Sequence, residues 1–229
     1  GRLPQGSEEA DTVVDAEGKL VTPGLVEGHT HMVFGGYRQH EIPMKLKGAG
    51  YLDILRAGGG ILDTVRKTRE AGFEELYGKT EGFLDEMMAL GVTTCEAKSG
   101  YGLDFDTEVK MLQVLKKLNE EHPMDVVATF MGAHAVPDEY KDRPDDFIDM
   151  LCEEVMPYVK AQGLAEFADI FTEDSVFNYG QSKRYLERAK ALGFGLKVHA
   201  DVIEAIGGGQ LAGEMGAGSC VHQISIDEK

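Results

Sequence analysis

Short apolar runs rich in β-branched residues alternate along this chain with stretches of helical period. That alternation is the signature of a parallel sheet wrapped by helices. Runs at 25–31, 93–98, 125–133, 169–172, 195–200 and 219–222 predict strands. Between them, Phe83, Met87 and Leu90 fall at i, i+4 and i+7, and Val109, Leu112, Leu115 and Leu118 share one helical face. Asp106 or Thr107 is the expected cap of that second helix. A third pattern runs through Phe147, Met150, Leu151 and Val155. A fourth carries Tyr185, Leu186, Ala189 and Leu192 and ends at Gly193, where a left-handed residue is expected. Residues 1–22 differ: two short runs, 12–15 and 19–21, flank Ala16-Glu17-Gly18 and predict two strands of a small β-rich domain. The remainder, 23–229, predicts an α/β domain of about six strand–helix units. Periodicity leaves open whether these belong to a barrel or to an open doubly wound sheet.

Charge narrows the function classes. The 229 residues carry 23 Lys+Arg against 40 Asp+Glu, a formal net charge of -17. A field of that sign repels phosphate backbones and anionic headgroups, so neither nucleic acid nor membrane is an expected partner. No apolar run reaches the roughly 18–20 residues of a membrane span. Cys95, Cys152 and Cys220 are scattered, which predicts reduced thiols and a cytoplasmic setting. The chain opens without methionine and stops soon after a helix-start signal at Ser225-Ile226-Asp227, so both ends read as cut.

The strongest chemical signal is His29-Thr30-His31 at the end of the first predicted buried strand. Residues two apart on a strand point to the same face, so two imidazoles there can hold one metal ion. A bare pair of this kind is more often structural; its context and a third histidine change the balance. His199 ends the run Leu196-Lys197-Val198, and His134 and His222 end two further predicted strands. Strand ends are where β/α barrels build active sites. His40 lies in a loop after the first strand, and His122, before Pro123, reads as surface.

With these residues in view, the chain resembles the metal-dependent amidohydrolases and, within them, the imidazolonepropionases. The matching segments are VTPGLVEGHTH, FGGYRQHE, YLDILRAGGGIL, TVRKTR, KSGYGLD, TEVKML, FMGAHAVP, LKVHAD and IGGGQLA, in the family's order from Val21 to Ala212. The resemblance implies a metal-bearing (β/α)8 TIM-like barrel, here incomplete, with residues 1–22 a remnant of a small β-sandwich domain. It implies His29, His31 and His199 as ligands of one zinc or iron ion, with a fourth ligand beyond Lys229. It implies Arg38, Tyr51, Tyr101 and His134 as contacts to a small anionic imidazolone substrate, with Arg38 on its carboxylate, and His222 as the residue that helps activate water. The implied reaction is metal-assisted hydrolysis of the cyclic amide of 4-imidazolone-5-propionate to N-formimidoyl-L-glutamate, in histidine degradation. A homodimer is expected at full length.

Two positions depart from the family. Where it has glutamate or glutamine three residues after the third metal histidine, this chain has Val202, with Glu204 two residues on. Where an acidic residue usually precedes the last histidine, it has Val221. A divergent enzyme is the preferred reading, against another cyclic-amide hydrolase or deaminase of the superfamily, or a non-catalytic truncated barrel. Gly78-Lys79-Thr80 lacks the earlier glycine and the strand that a phosphate loop requires. Lys98 raises the alternative of a carboxylated lysine bridging two metals; its KSGYGLD context favours a one-metal site.

Overall fold

The computed structural model describes residues 12–50, 53–54 and 57–225. Among them the sheet has six strands: β1 (Leu25–Thr30), β2 (Val92–Lys98), β3 (Asp125–Ala133), β4 (Phe167–Thr172), β5 (Gly195–Ala200) and β6 (Ser219–His222). All five pairings are parallel, and the spatial order follows the chain from β1 to β6. A doubly wound sheet reverses direction at a switch point. This one never does, and it curls into an incomplete β/α barrel.

The helices follow the same logic. After β1 come α1 (Ile42–Leu46), α2 (Ile61–Glu70) and α3 (Phe73–Ala89); α4 (Phe105–Glu121) joins β2 to β3. The cap of α4 is Asp104, whose Oδ1 accepts from Thr107 N at 2.7 Å, so the helix starts earlier than Asp106 or Thr107 as caps require. Between β3 and β4, α5 (Pro144–Met150) runs through a π turn (Leu151–Val155) into α6 (Met156–Ala161). Pro157 explains the interruption, because it has no N–H to donate back along the helix. The helix α7 (Tyr179–Ala191) opens with a reciprocal capping box between Asn178 and Gln181 and closes at Gly193, φ +80°. Last is α8 (Gly208–Met215).

The apolar core lies between the outer face of the sheet and these helices. Leu84, Leu112, Leu115, Phe130, Tyr185 and Val198 are fully buried there. The inner face is polar, as developed below. Residues 12–22 form only the turn, with Lys19 N donating to Ala16 O at 2.8 Å. The two expected strands do not form: Val13, Val14, Leu20 and Val21 are all exposed, and a two-stranded ribbon with no apolar partner is marginal in water.

Candidate active site

Five strand-end histidines converge on the inner face. The ring centroid of His29 lies 4.8 Å from that of His199 and 5.6 Å from that of His222, while His199 and His222 are 5.0 Å apart. His31 reaches the cluster through its Nε2, 3.2 Å from His29 Nε2, and stacks on His134 at 4.7 Å. His29, His31 and His199 arrive by strand alternation; His134 follows a register shift between Phe130 and Ala133, and His222 is a further exception. That residue pairs in register with Ala200, which packs in the outer core, and its left-handed backbone (φ +74°) accounts for a ring that lies on the inner side. A non-glycine residue held there is strained, a recurrent feature of functional sites.

Burial first, and then the neighbouring His199, lowers the pKa of His29 to about 4. Burial likewise takes His134 to about 4 and His31 well below its ordinary value, and it lowers His222. These four rings are therefore neutral at pH 7, the form that binds metal. His31 Nδ1 and His199 Nε2 are buried without a hydrogen-bond partner. One nitrogen from each of His29, His199 and His222 lies within 4.8 Å of the others. Three convergent imidazole nitrogens, with the buried His199 Nε2 among them left without a hydrogen-bond partner, fit a divalent metal ion. Of the expected set, His29 and His199 share this group with His222, while His31 stands beside it with its Nε2 3.2 Å from His29 Nε2.

A charged floor lies beneath the histidines. Lys98 Nζ is 2.7 Å from Glu96 Oε1 and 2.9 Å from Asp169 Oδ2, and Lys197 Nζ is 3.0 Å from Glu96 Oε1. His199 Nδ1 lies 3.0 Å from Asp169 Oδ2, near but not aligned as a hydrogen bond. Burial alone raises the pKa of Asp169, but His199 and Lys98 outweigh it and hold the carboxyl far below the usual range. Lys98 Nζ thus stands between two carboxylates. That pairing is the arrangement the one-metal reading expects. Sequence reasoning missed Glu96, Asp169 and Lys197 as site residues. The available signal was same-face spacing, 96 with 98 and 197 with 199, on strands otherwise apolar.

The expected substrate contacts divide. Arg38 and Tyr101 line one cavity of about 240 Å³ with His31, Phe34, Tyr37 and Thr64. Arg38 Nε is 3.5 Å from Glu41 Oε1. His134 Nδ1 lies 3.0 Å from Gly100 O, so that nitrogen carries the proton and Nε2 keeps its lone pair. Tyr51 lies outside the described residues. Val202 and Ile203 donate their amides to Glu173 Oε2, each at 3.0 Å, and Glu204 donates its own to Oε1, also at 3.0 Å; the side chain of Glu204 is exposed. Val221 stands in register with His199. Far from the site, His122 is not a surface residue: its side chain is 5% exposed and its Nε2 lies 3.3 Å from Asp85. A larger cleft of about 670 Å³, lined by Gly58, Arg66, Val136, Lys141 and Asn178 among others, contains none of the histidines.

A parallel barrel segment with a histidine pair on its first strand and further histidines ending β3, β5 and β6 is the arrangement the resemblance to metal-dependent amidohydrolases implies. No family model matches the chain. It is 54% identical over 217 residues to an imidazolonepropionase of Alkaliphilus metalliredigens, covering 95% of this chain and 51% of that protein. It is 51% identical over 228 residues to one of Bacillus velezensis, covering 98% and 54%. Among solved structures, a 5-methylcytosine deaminase from Klebsiella pneumoniae superposes with a TM-score of 0.63 at 15% identity, covering 96% of this chain and 53% of that one. A zinc-bound amidohydrolase from Burkholderia ambifaria gives 0.56 at 13% identity, covering 91% and 63%. Nearly the whole chain is similar to imidazolonepropionases at about half identity, and it spans about half the length of the curated relatives it matches. No helix among the described residues is long and apolar enough to cross a membrane.

Proposed function

We propose that this chain forms the histidine-bearing part of a metal-dependent hydrolase that opens the ring of 4-imidazolone-5-propionate to N-formimidoyl-L-glutamate. The observation that carries the reading is the cavity joining His31, at the histidine cluster, to Arg38. A small ligand with a reactive ring at one end and a carboxylate at the other matches that layout. A guanidinium whose Nε side faces Glu41 keeps its outer nitrogens for a carboxylate, which it can grip bidentately.

His29, His31 and His199 hold the metal, with His222 beside them; nitrogen donors suit zinc, with iron the other candidate. When bound, the ion polarises the ring carbonyl and acidifies a water. The remaining work falls to the chain itself. Neutral His222 accepts the proton released by the attacking water and returns it toward the leaving nitrogen, so that oxygen adds to carbon as the ring C–N bond breaks. His134, protonated at Nδ1, offers Nε2 to a ring N–H, and Tyr101 closes the cavity wall.

The test is loss of imidazolonepropionate absorbance with metal-loaded full-length protein beside a chelated control. Chelator-sensitive turnover supports the reading, and no turnover with metal bound overturns it. Within an active enzyme, Arg38→Ala is expected to raise KM by about 100-fold, the range for losing a charge-assisted pair, with kcat nearly unchanged. An unchanged KM removes the carboxylate assignment. Val202→Glu supplies a carboxylate where the family resemblance implies glutamate or glutamine. It is expected to raise kcat by about tenfold or more, the lower range of general acid–base assistance, without altering metal content. Equal kcat in the two forms means that His222 suffices.

A further inference from the structure

The loop at 99–104 carries Tyr101, and it is held in an unusual way. Glu108, one turn into α4 and wholly buried, directs its carboxylate back into the loop. Gly100 N donates to Oε1 and Oε2 at 3.2 and 3.1 Å, Gly102 N to Oε1 at 2.8 Å, and Leu103 N to Oε1 at 3.0 Å. The Ser99 hydroxyl is a further partner of the carboxylate. Successive amides converge this way only where the backbone makes a concave nest. Gly100 at φ +110° and Leu103 at φ +53° make that turn. A Cβ at Gly100 falls 2.7 Å from Met131 O, and one at Gly102 falls 2.6 Å from Glu108 N, so neither position has room for a side chain.

The loop is gripped from its other side as well. Arg69, at the end of α2, donates from Nε to Gly102 O at 2.7 Å and from Nη2 to Leu103 O at 3.1 Å. Lys110, on the same helix as Glu108, donates to Ala71 O at 2.7 Å just past α2 and so ties the two helices together. One carbonyl of the loop faces inward: Gly100 O meets His134 Nδ1. The conformation of this loop therefore sets both the direction of the Tyr101 side chain and the tautomer of His134.

We infer that Glu108 is a positioning residue, its carboxylate fixing the 99–104 loop and through it the Tyr101 side chain and the His134 ring. The role in recognition rests on the function proposed above; the role in loop geometry does not. Glutamine at 108 keeps the shape but turns an acceptor oxygen into an N–H2 donor facing amide donors. The loop must then move, and the Tyr101 hydroxyl and His134 Nε2 move with it, each able to lose a hydrogen bond to the substrate.

The experiment uses full-length, metal-loaded protein. Glu108→Gln is expected to leave metal stoichiometry unchanged, to raise KM for imidazolonepropionate by roughly tenfold, the range for a lost hydrogen bond to the substrate, and to change kcat far less. In 15N spectra of histidine-labelled protein, His134 is expected to lose its single Nδ1–H form. In a Tyr101→Phe background the KM effect of Glu108→Gln should shrink, because coupled residues are not additive. Arg69→Met, at a partly exposed position, is expected to shift KM and the His134 signal in the same direction by less, and it serves if Glu108→Gln fails to fold. An unaltered His134 signal, or a KM penalty identical in the Tyr101→Phe background, overturns the inference. If the unmodified protein turns over no imidazolone, the substrate reading fails, and the 15N and metal measurements still decide the role of Glu108.

Discussion

Replacing His199 by alanine is expected to remove bound metal and turnover together. The ring is 3% exposed and sits at the centre of the cluster, within 4.8 Å of His29, 5.0 Å of His222 and 5.6 Å of His31 by ring centroids. Its Nε2 is buried without a partner, which is costly unless something coordinates it. Alanine deletes that nitrogen and also leaves Asp169 without its contact to Nδ1. Altering a partner of a ligand typically costs 10–100-fold in metal affinity, so losing the ligand itself should cost more than about 100-fold. Chelator competition reads the affinity and kcat/KM reads the activity; both should fall while the metal-free protein melts close to the parent. If His199→Ala still binds one metal at the parental affinity, the ion is held elsewhere. In that case the His29, His31 and His199 assignment fails even though the rings converge.

Much of this site was legible before any coordinates, for a definite reason. Strand-end position is a property of sequence, and in a parallel sheet of sequential order every strand ends on the same rim. The six predicted runs coincide with β1 to β6 to within two residues, so His29, His134, His199 and His222 were bound to lie on one rim once the strand order followed the chain. That order was not legible, because period alone does not separate a barrel from a doubly wound sheet. Neither was the inward turn of His222, which depends on a backbone angle that no pattern rule predicts for a histidine. The role of Glu108 was hidden as well. A glutamate in the first turn of a helix ordinarily reads as a favourable charge at the dipole's positive end, and only the nest at 100–103 gives it another task. At 12–21 the local pattern was correct as a turn and failed as strands, because β structure needs a partner face that local sequence does not supply.

The largest effect on stability is expected from Lys98→Met. Barrel interiors are ordinarily filled by branched apolar side chains in layers. Here the layer below the histidines is ionic, and it spans four strands: Glu96 and Lys98 on β2, Thr129 on β3, Asp169 on β4 and Lys197 on β5. Methionine keeps most of the volume of Lys98 and removes its charge. Asp169 then retains only His199, and Glu96 retains Lys197 and the Thr129 hydroxyl. Breaking a buried pair from one side costs roughly 3–5 kcal/mol, because the partner charge stays buried and uncompensated. For a chain of this size that lowers Tm by on the order of 10 °C. Adding Glu96→Gln to Lys98→Met should recover part of the loss, since a neutral amide is cheaper to bury than an unpaired carboxylate. A Lys98→Met protein that melts with the parent means the ion pairs contribute no net stability. Recovery in the double variant, with metal affinity still weakened, assigns the remaining deficit to Asp169. The ionic floor then serves the site above it as well as the strands it joins.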